Sequence, residues 1–142
     1  MSERARVLIL CTGNSARSQM AEAALRHFGG NSFDVASAGV SPSQIRPEAV
    51  QVMEEIGIPV INQYSKSVDV FSGERFDYII TVCDNAKESC PVFPGNATRI
   101  HWSFDDPAAV EGTAAEKLEA FRRVRDEVVE RIVAFSQALP PP

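Results

Sequence analysis

The 142-residue chain has no long hydrophobic segment and no excess of basic residues. Its longest unbroken apolar run, Val7–Cys11, is far shorter than the ~20 residues that span a bilayer, so no membrane segment is expected. No basic start leads into an apolar stretch, which argues against a signal peptide and predicts a cytoplasmic protein. Basic side chains number 14 and acidic ones 19, and this net charge of −5 argues against a nucleic-acid binder.

Cysteine is scarce as well, with only Cys11, Cys83 and Cys90 in the chain. Static disulfides are uncommon in a reducing compartment, and neither spacing matches the short Cys-x2-4-Cys pairs of zinc sites. We therefore expect no metal and no other cofactor. The thiols remain open to two interpretations, as small apolar core residues or as redox-active groups.

Runs typical of strands alternate with amphipathic helical patterns along the chain, in a composition that is ordinary for a globular protein. The predicted strands are Arg6–Leu10, Phe33–Ser37, Tyr78–Val82 and Thr98–Trp102. The predicted helices run from Arg17 or Ser18 to Gly29-Gly30, from Arg46 or Pro47 to Gly57, and over Ala114–Gln137. The alternation predicts an α/β fold: a single-domain open parallel four-stranded sheet with helices on both faces. The domain would span residues 1–142, with a short tail at 138–142.

The octapeptide Cys11-Thr12-Gly13-Asn14-Ser15-Ala16-Arg17-Ser18 joins the first strand to the first helix. A loop at a helix N-terminus presents backbone N–H groups to an anion, and Arg17 adds a planar fork that can grip two oxygens. Gly13 and Asn14 tolerate the left-handed backbone angles of such a turn. We expect these surroundings, with the Ser18 hydroxyl, to lower the pKa of Cys11 and to make it a nucleophile beside a bound oxyanion.

Cys-x5-Arg-Ser in this position resembles the low-molecular-weight protein tyrosine phosphatase fold, which thioredoxin-coupled arsenate reductases share. Ser37-Ala38-Gly39 and Asp106-Pro107 are similar to that family too, and the resemblance extends from Arg6 to about Phe135. It implies that Cys11 attacks an oxyanion held by residues 12–18 and that Asp106 protonates the departing oxygen. By chemistry alone Asp105 is also a candidate acid, although Pro107 biases Asp106 toward an extended conformation.

A phosphatase needs one cysteine, so Cys83 and Cys90 are superfluous for hydrolysis. The resemblance to arsenate reductases implies a relay in which Cys83 attacks Cys11, Cys90 attacks Cys83, and thioredoxin reduces the last disulfide. Arsenate would be the substrate, phosphate or sulfate its mimics, and the protein a monomer. Cys83 and Cys90 are seven residues apart, roughly 10.5 Å along a helix, whereas a disulfide needs Cα atoms about 4.4–6.8 Å apart. We therefore expect residues 84–89 to be helical when reduced and looped out when oxidised.

Some relatives bind potassium beside the loop through a carboxylate, and Lys66 occupies the corresponding position here. The substitution implies that an ammonium replaces the metal's charge and that potassium has no effect on turnover. Asn14, Glu22 and Ser37 would remain as supports of the loop. Two further patterns are structural: Trp102 and Phe104 are expected to be packing anchors, and the charge run 122–130 is expected to be the solvated face of the last helix.

Two other functions compete with the reductase. One is a low-molecular-weight tyrosine phosphatase, a hydrolase in which the extra cysteines are incidental. Against it, Ala108 follows Asp-Pro, where an aromatic residue would indicate recognition of an aryl group. The other is a non-enzymatic module that senses an oxyanion or redox state with the same loop. Weak hydrolysis of aryl phosphates is expected even from the reductase.

Overall fold

The most apolar stretch of the chain forms the central strand of a sheet. The structure is a computed structural model that describes residues 4–60, 63–83 and 93–138, and in it β1 spans Ala5–Cys11. The side chains from Val7 to Leu10 have no exposed surface, so both faces of β1 are covered. A continuous apolar run is typical of such a strand. The predicted strand is confirmed and is one residue longer at each end.

Three more strands run parallel to β1, in the order β2-β1-β3-β4, which confirms the predicted four-stranded parallel sheet. Their bounds are Phe33–Gly39 for β2, Tyr78–Thr81 for β3 and Thr98–His101 for β4. Because the strands are parallel, their carboxyl ends lie at one edge of the sheet. The loops that follow them converge there, where sheets of this kind bind ligands.

Three α-helices complete the part of the chain that the structure describes: α1 (Arg17–Gly29), α2 (Pro47–Glu55) and α3 (Ala114–Ala138). Proline opens α2, a position where its missing N–H costs no hydrogen bond. Helix α1 packs on β1 and β2, and α3 packs on α1 and α2. The buried stripe of α3 falls at helical spacing, as predicted, and contains Phe121, Val124, Val128, Ile132 and Phe135.

The charge run on α3 is not wholly solvated, which corrects the sequence-based expectation. Arg125 is buried, and its Nη1 donates to the carbonyl of Val52 at 3.0 Å and to Glu55 at 2.9 Å. A guanidinium can be buried at this position because α2 ends beside it and supplies both a carbonyl and a carboxylate. The run therefore contributes to the contact between α2 and α3.

One hydrophobic core joins the sheet to the helices, so the fold is a single α/β domain. Trp102 and Phe104 are both buried in this core, as expected. In the described ranges no helix is long and apolar enough to cross a membrane. Cys90, the 84–89 segment and positions 139–142 of the predicted tail lie outside the described residues, and Ala138 is the last residue of α3.

Candidate active site

The loop between β1 and α1, residues 12–16, is held from outside by the segment that follows β2. We call this segment, residues 40–46, the strap. Its backbone N–H groups donate to four carbonyls of the turn that begins at the end of β1. These bonds run from Val40 to Cys11 (3.3 Å), Ser41 to Thr12 (2.8 Å), Ser43 to Gly13 (3.0 Å) and Arg46 to Ser15 (2.9 Å).

The bonds to the strap determine where the N–H groups of the loop point. The C=O and N–H of a trans peptide face opposite ways, and the described residues contain no cis peptide. Carbonyls that point toward the strap therefore turn the N–H groups into the hollow of the loop. The backbone N–H groups of residues 13–16 donate to no acceptor among the described residues, so they are available to an anion.

Asn14 is the left-handed residue of the loop, with φ 48°, whereas Gly13 does not adopt a positive φ. The side chain of Asn14 is fully buried, and both its amide nitrogen and its amide oxygen form hydrogen bonds. The amide Nδ2 donates to Ser18 Oγ at 2.8 Å and Ser37 Oγ at 2.9 Å, and Oδ1 accepts from the backbone N–H of Lys66 at 3.0 Å. An asparagine that links α1, β2 and the 63–67 segment offsets the cost of its unusual backbone angle.

The predicted supports of the loop lie together. Ser37 Oγ donates to Glu22 Oε1 at 2.6 Å, and the other oxygen of this buried carboxylate pairs with Arg26 at 2.6 Å. Burial lowers the pKa of Lys66, whereas the charge of Glu22 opposes that shift. The ammonium of Lys66 donates to the carbonyl of Tyr64 at 3.1 Å and lies 4.6 Å from the centre of its ring.

Arg17 opens α1 and reaches across to the loop that follows β4. Its Nη1 donates to the carbonyl of Phe104 at 3.1 Å, and its Nη2 lies 3.9 Å from Asp106 Oδ2. The other carboxylate oxygen of Asp106 accepts the N–H of Ala108 at 3.0 Å. Asp105 instead faces Arg123 on α3, at 4.0 Å, and is largely exposed. Of the two candidate acids, Asp106 is therefore the one that faces the oxyanion loop.

Cys11 and Cys83 meet at the carboxyl edge of the sheet, where β1 and β3 end. Both thiols are buried and neither is part of a disulfide. They lie near enough for Cys83 to raise the pKa of Cys11. Thr12 Oγ1 lies 3.1 Å from Cys83 Sγ, although the two residues are 71 positions apart in the chain. The thiol of Cys83 therefore lies at the start of the oxyanion loop, against the residue that follows Cys11.

The expectation that the loop lowers the pKa of Cys11 is wrong for this arrangement. The hydrogen bond with Cys83 and then burial raise the pKa of Cys11 above its ordinary value. The charge of Arg17 and the backbone N–H of Thr12 act in the opposite direction, as predicted, but they do not prevail. The residues next to Cys11 in the sequence do not reveal this effect, because its largest cause, Cys83, is distant in the chain.

The arrangement combines a thiol, an adjacent second thiol, a nest of N–H groups, a guanidinium and a carboxylate. Such a set can bind a tetrahedral oxyanion, attack it with sulfur and then pass the bond to a second sulfur. Across the described ranges, no three His, Cys, Asp or Glu side chains form a cluster able to hold a metal ion. The strap could not be found from the sequence, because it has no motif of its own.

Comparisons with known proteins agree along nearly the whole chain. The profile of the low molecular weight phosphotyrosine protein phosphatase family matches residues 6–140. The arsenate reductase of Halalkalibacterium halodurans is 46% identical over 131 residues, 92% of this chain and 94% of the relative. The solved structure of an arsenate reductase in the phosphate binding state has a TM-score of 0.77 at 30% identity, over 96% of this chain and 99% of that one. A thioredoxin-dependent arsenate reductase of Corynebacterium glutamicum has a TM-score of 0.66 at 29% identity, over 94% of this chain and 64% of that one.

Proposed function

The chain belongs to the low molecular weight phosphotyrosine protein phosphatase family, and on that premise we propose that it is a thioredoxin-dependent arsenate reductase. The similarity to arsenate reductases over more than nine-tenths of the chain supports arsenate as substrate. The name of the Corynebacterium glutamicum relative supports thioredoxin as reductant. The position of the buried Cys83 thiol against Thr12, beside Cys11, is the single observation that carries the proposal, because hydrolysis has no use for a second sulfur.

In the proposed first step, the N–H groups of residues 12–18 and the guanidinium of Arg17 hold arsenate. The thiol of Cys11 gives its proton to an oxygen of the arsenate dianion, and its sulfur attacks arsenic and forms an S–As bond. Asp106 donates a proton to the departing oxygen, which leaves as water. Arsenic stays pentavalent in this step, so no electrons have yet been transferred.

In the second step, Cys83 attacks the sulfur of Cys11 and a Cys11–Cys83 disulfide forms, while the proton of the Cys83 thiol passes to an oxygen of the departing arsenic group. The electron pair of the S–As bond leaves with arsenic, which is thereby reduced to arsenite. The two thiols lose two electrons between them and arsenic gains two. The position of the Cys83 thiol 3.1 Å from the hydroxyl of Thr12, the residue that follows Cys11, supports this direct transfer.

The cycle then closes by two exchanges between thiols and disulfides. Cys90 attacks Cys83, which gives a Cys83–Cys90 disulfide and restores Cys11, and the dithiol of thioredoxin reduces that disulfide. The cytoplasm, where thioredoxin keeps thiols reduced, is the compartment that suits this cycle.

We further propose that turnover needs no potassium, because Lys66 supplies a positive charge next to Glu22. The electrostatic interaction between Lys66 and Glu22 supports this assignment. Turnover should be the same in potassium, sodium and choline chloride at equal ionic strength. A turnover that is much faster in potassium chloride than in the other two salts would contradict the proposal.

A coupled assay tests the function: consumption of NADPH in the presence of arsenate, thioredoxin and thioredoxin reductase. Wild-type protein should turn over many times, and Cys83→Ser and Cys90→Ser should each abolish multiple turnover. Hydrolysis of p-nitrophenyl phosphate, measured in parallel, tests the hydrolase alternative. Fast hydrolysis that neither substitution affects, without arsenate-dependent NADPH consumption, would identify a phosphatase instead.

A further inference from the structure

Gln19 is the side chain that completes the outer support of the oxyanion loop. Of the five consecutive carbonyls from Cys11 to Ser15, the strap binds four through its backbone. The remaining carbonyl, that of Asn14, accepts from the side-chain Nε2 of Gln19 at 2.9 Å. Backbone donors persist through any substitution other than proline, whereas this donor depends on the identity of one residue.

The amide of Gln19 has a single orientation that satisfies all of its polar atoms. The side chain is fully buried, and Nε2 donates to the carbonyl of Asn14 and, at 3.2 Å, to that of Tyr64. Its Oε1 accepts from Gln63 Nε2 at 2.7 Å. An inverted amide would place its oxygen against two carbonyls, so the observed orientation is strongly favoured.

The hydrogen bond from Gln19 and the N–H of Ser15 lie on opposite sides of the peptide unit that joins Asn14 to Ser15. The carbonyl of Asn14 and the N–H of Ser15 point in opposite directions, because the peptide between them is planar and trans. Asn14 itself is left-handed, with φ 48°, so the peptide after it lies next to an energetically costly turn. The amide of Gln19, which donates to the carbonyl of Asn14, therefore holds the N–H of Ser15 in the hollow of the loop.

We propose that Gln19 is a positioning residue that aims the Ser15 N–H at the bound oxyanion. The assignment rests on the oxyanion site of the proposed function and adds a residue that does not itself touch the anion. Without the donor, the Asn14–Ser15 peptide is free to rotate. Its carbonyl then faces the anion and repels it.

Phosphate is the probe, since it is tetrahedral and leaves the cysteines unoxidised. Gln19→Leu should weaken phosphate binding, measured by calorimetry, roughly ten- to a hundredfold, the range for a hydrogen bond to a charged group. If Gln19→Leu fails to fold, Gln19→Met takes its place; it keeps the length of the side chain and should show the same loss of phosphate affinity. Val128→Ala, a cavity in the buried stripe of α3, is the control: it should lower the melting temperature and leave phosphate affinity unchanged.

The amide NMR signals of the loop separate positioning from general loosening. Phosphate should shift the Ser15 amide strongly downfield in wild-type protein, and this shift should collapse in Gln19→Leu while those of Gly13 and Ala16 persist. The inference is overturned if the variants bind phosphate as tightly as wild type, or if their Ser15 shift remains. In that case wild-type protein would still bind phosphate and reduce arsenate. Failure of wild type to bind phosphate would instead overturn the oxyanion site itself, and this inference with it.

Discussion

At the scale of single residues, the chemistry of Cys11 depends most on a partner that is distant in the chain. Cys83 contributes the largest effect on the pKa of Cys11, ahead of burial, and it raises that pKa. Arg17 and the N–H of Thr12 favour the thiolate but act against both of these effects. Removal of the second sulfur should therefore change the ionisation of the first.

Cys83→Ala should lower the pKa of Cys11, because the largest cause that favours the protonated thiol disappears while the charge of Arg17 remains. A lower pKa means more thiolate at neutral pH, so iodoacetamide should modify Cys11 faster at pH 7 in the variant. Peptide mass spectrometry across pH 5–10 gives the rate at each cysteine separately. Cys83→Ser, which retains a hydrogen-bonding group, should give a smaller change. An unchanged or raised pKa in Cys83→Ala would contradict this interpretation.

Asp106→Asn should slow the formation of the S–As bond, because an amide cannot protonate the departing oxygen. A loss of roughly 10²- to 10⁴-fold in turnover is the usual range for removal of a general acid. Asp105→Asn is the matched control, since its carboxylate faces Arg123 and not Arg17. Turnover with saturating arsenate, measured for both variants, checks the assignment. A greater loss in Asp105→Asn would show that the two acids had been exchanged.

At the scale of elements, the strap determines the form of the loop, and Gly39 lets the two segments pass each other. A Cβ at this position would lie 2.7 Å from the carbonyl oxygen of Thr12 and 2.8 Å from the N–H nitrogen of Asn14. Both are backbone atoms, so no side chain can move aside to make room. The end of β2 therefore has to be glycine if the loop is to keep its N–H groups in the hollow.

Gly39→Ala should displace the loop, weaken phosphate binding by at least tenfold and destabilise the protein by about 1–3 kcal/mol, the usual cost of overpacking. Gly57→Ala is the matched control. Its Cβ would meet nothing within 4 Å, but its φ of +76° costs an L-residue about 1–2 kcal/mol. Calorimetric titration with phosphate and chemical unfolding of both variants provide the check. Equal phosphate affinity in both variants would show that the close approach at Gly39 is unimportant.

The same scale shows what the sequence allowed us to predict. Strands such as β1 and the long helix α3 follow from apolar runs and helical spacing, and the oxyanion loop follows from its place between a strand and a helix. The strap has neither periodicity nor a motif, since its contribution comes from backbone N–H groups that any residue except proline provides. The raised pKa of Cys11 and the burial of Arg125 both depend on partners far away in the chain. Such contacts become visible only once the sheet and helices are assembled.

At the scale of the whole molecule, the strand order brings distant segments to one edge. β1 lies between β2 and β3, so the oxyanion loop is flanked by the strap on one side and by Cys83 on the other. β4 adds the segment that carries Asp106. In another strand order the same side chains would not meet. The position of the second sulfur beside the loop therefore depends on the fold and not on a local motif.

Direct handover between the two sulfurs is the central claim, and one single-turnover measurement tests it. Cys90→Ser removes the third thiol and should stop the cycle after the second step. Arsenate is added to the reduced variant, the reaction is quenched in acid, and the peptides are mapped without reductant while arsenite is quantified. We expect one Cys11–Cys83 disulfide for each arsenite released. Arsenite formed while both thiols remain free, or no arsenite and no disulfide at all, would contradict the account.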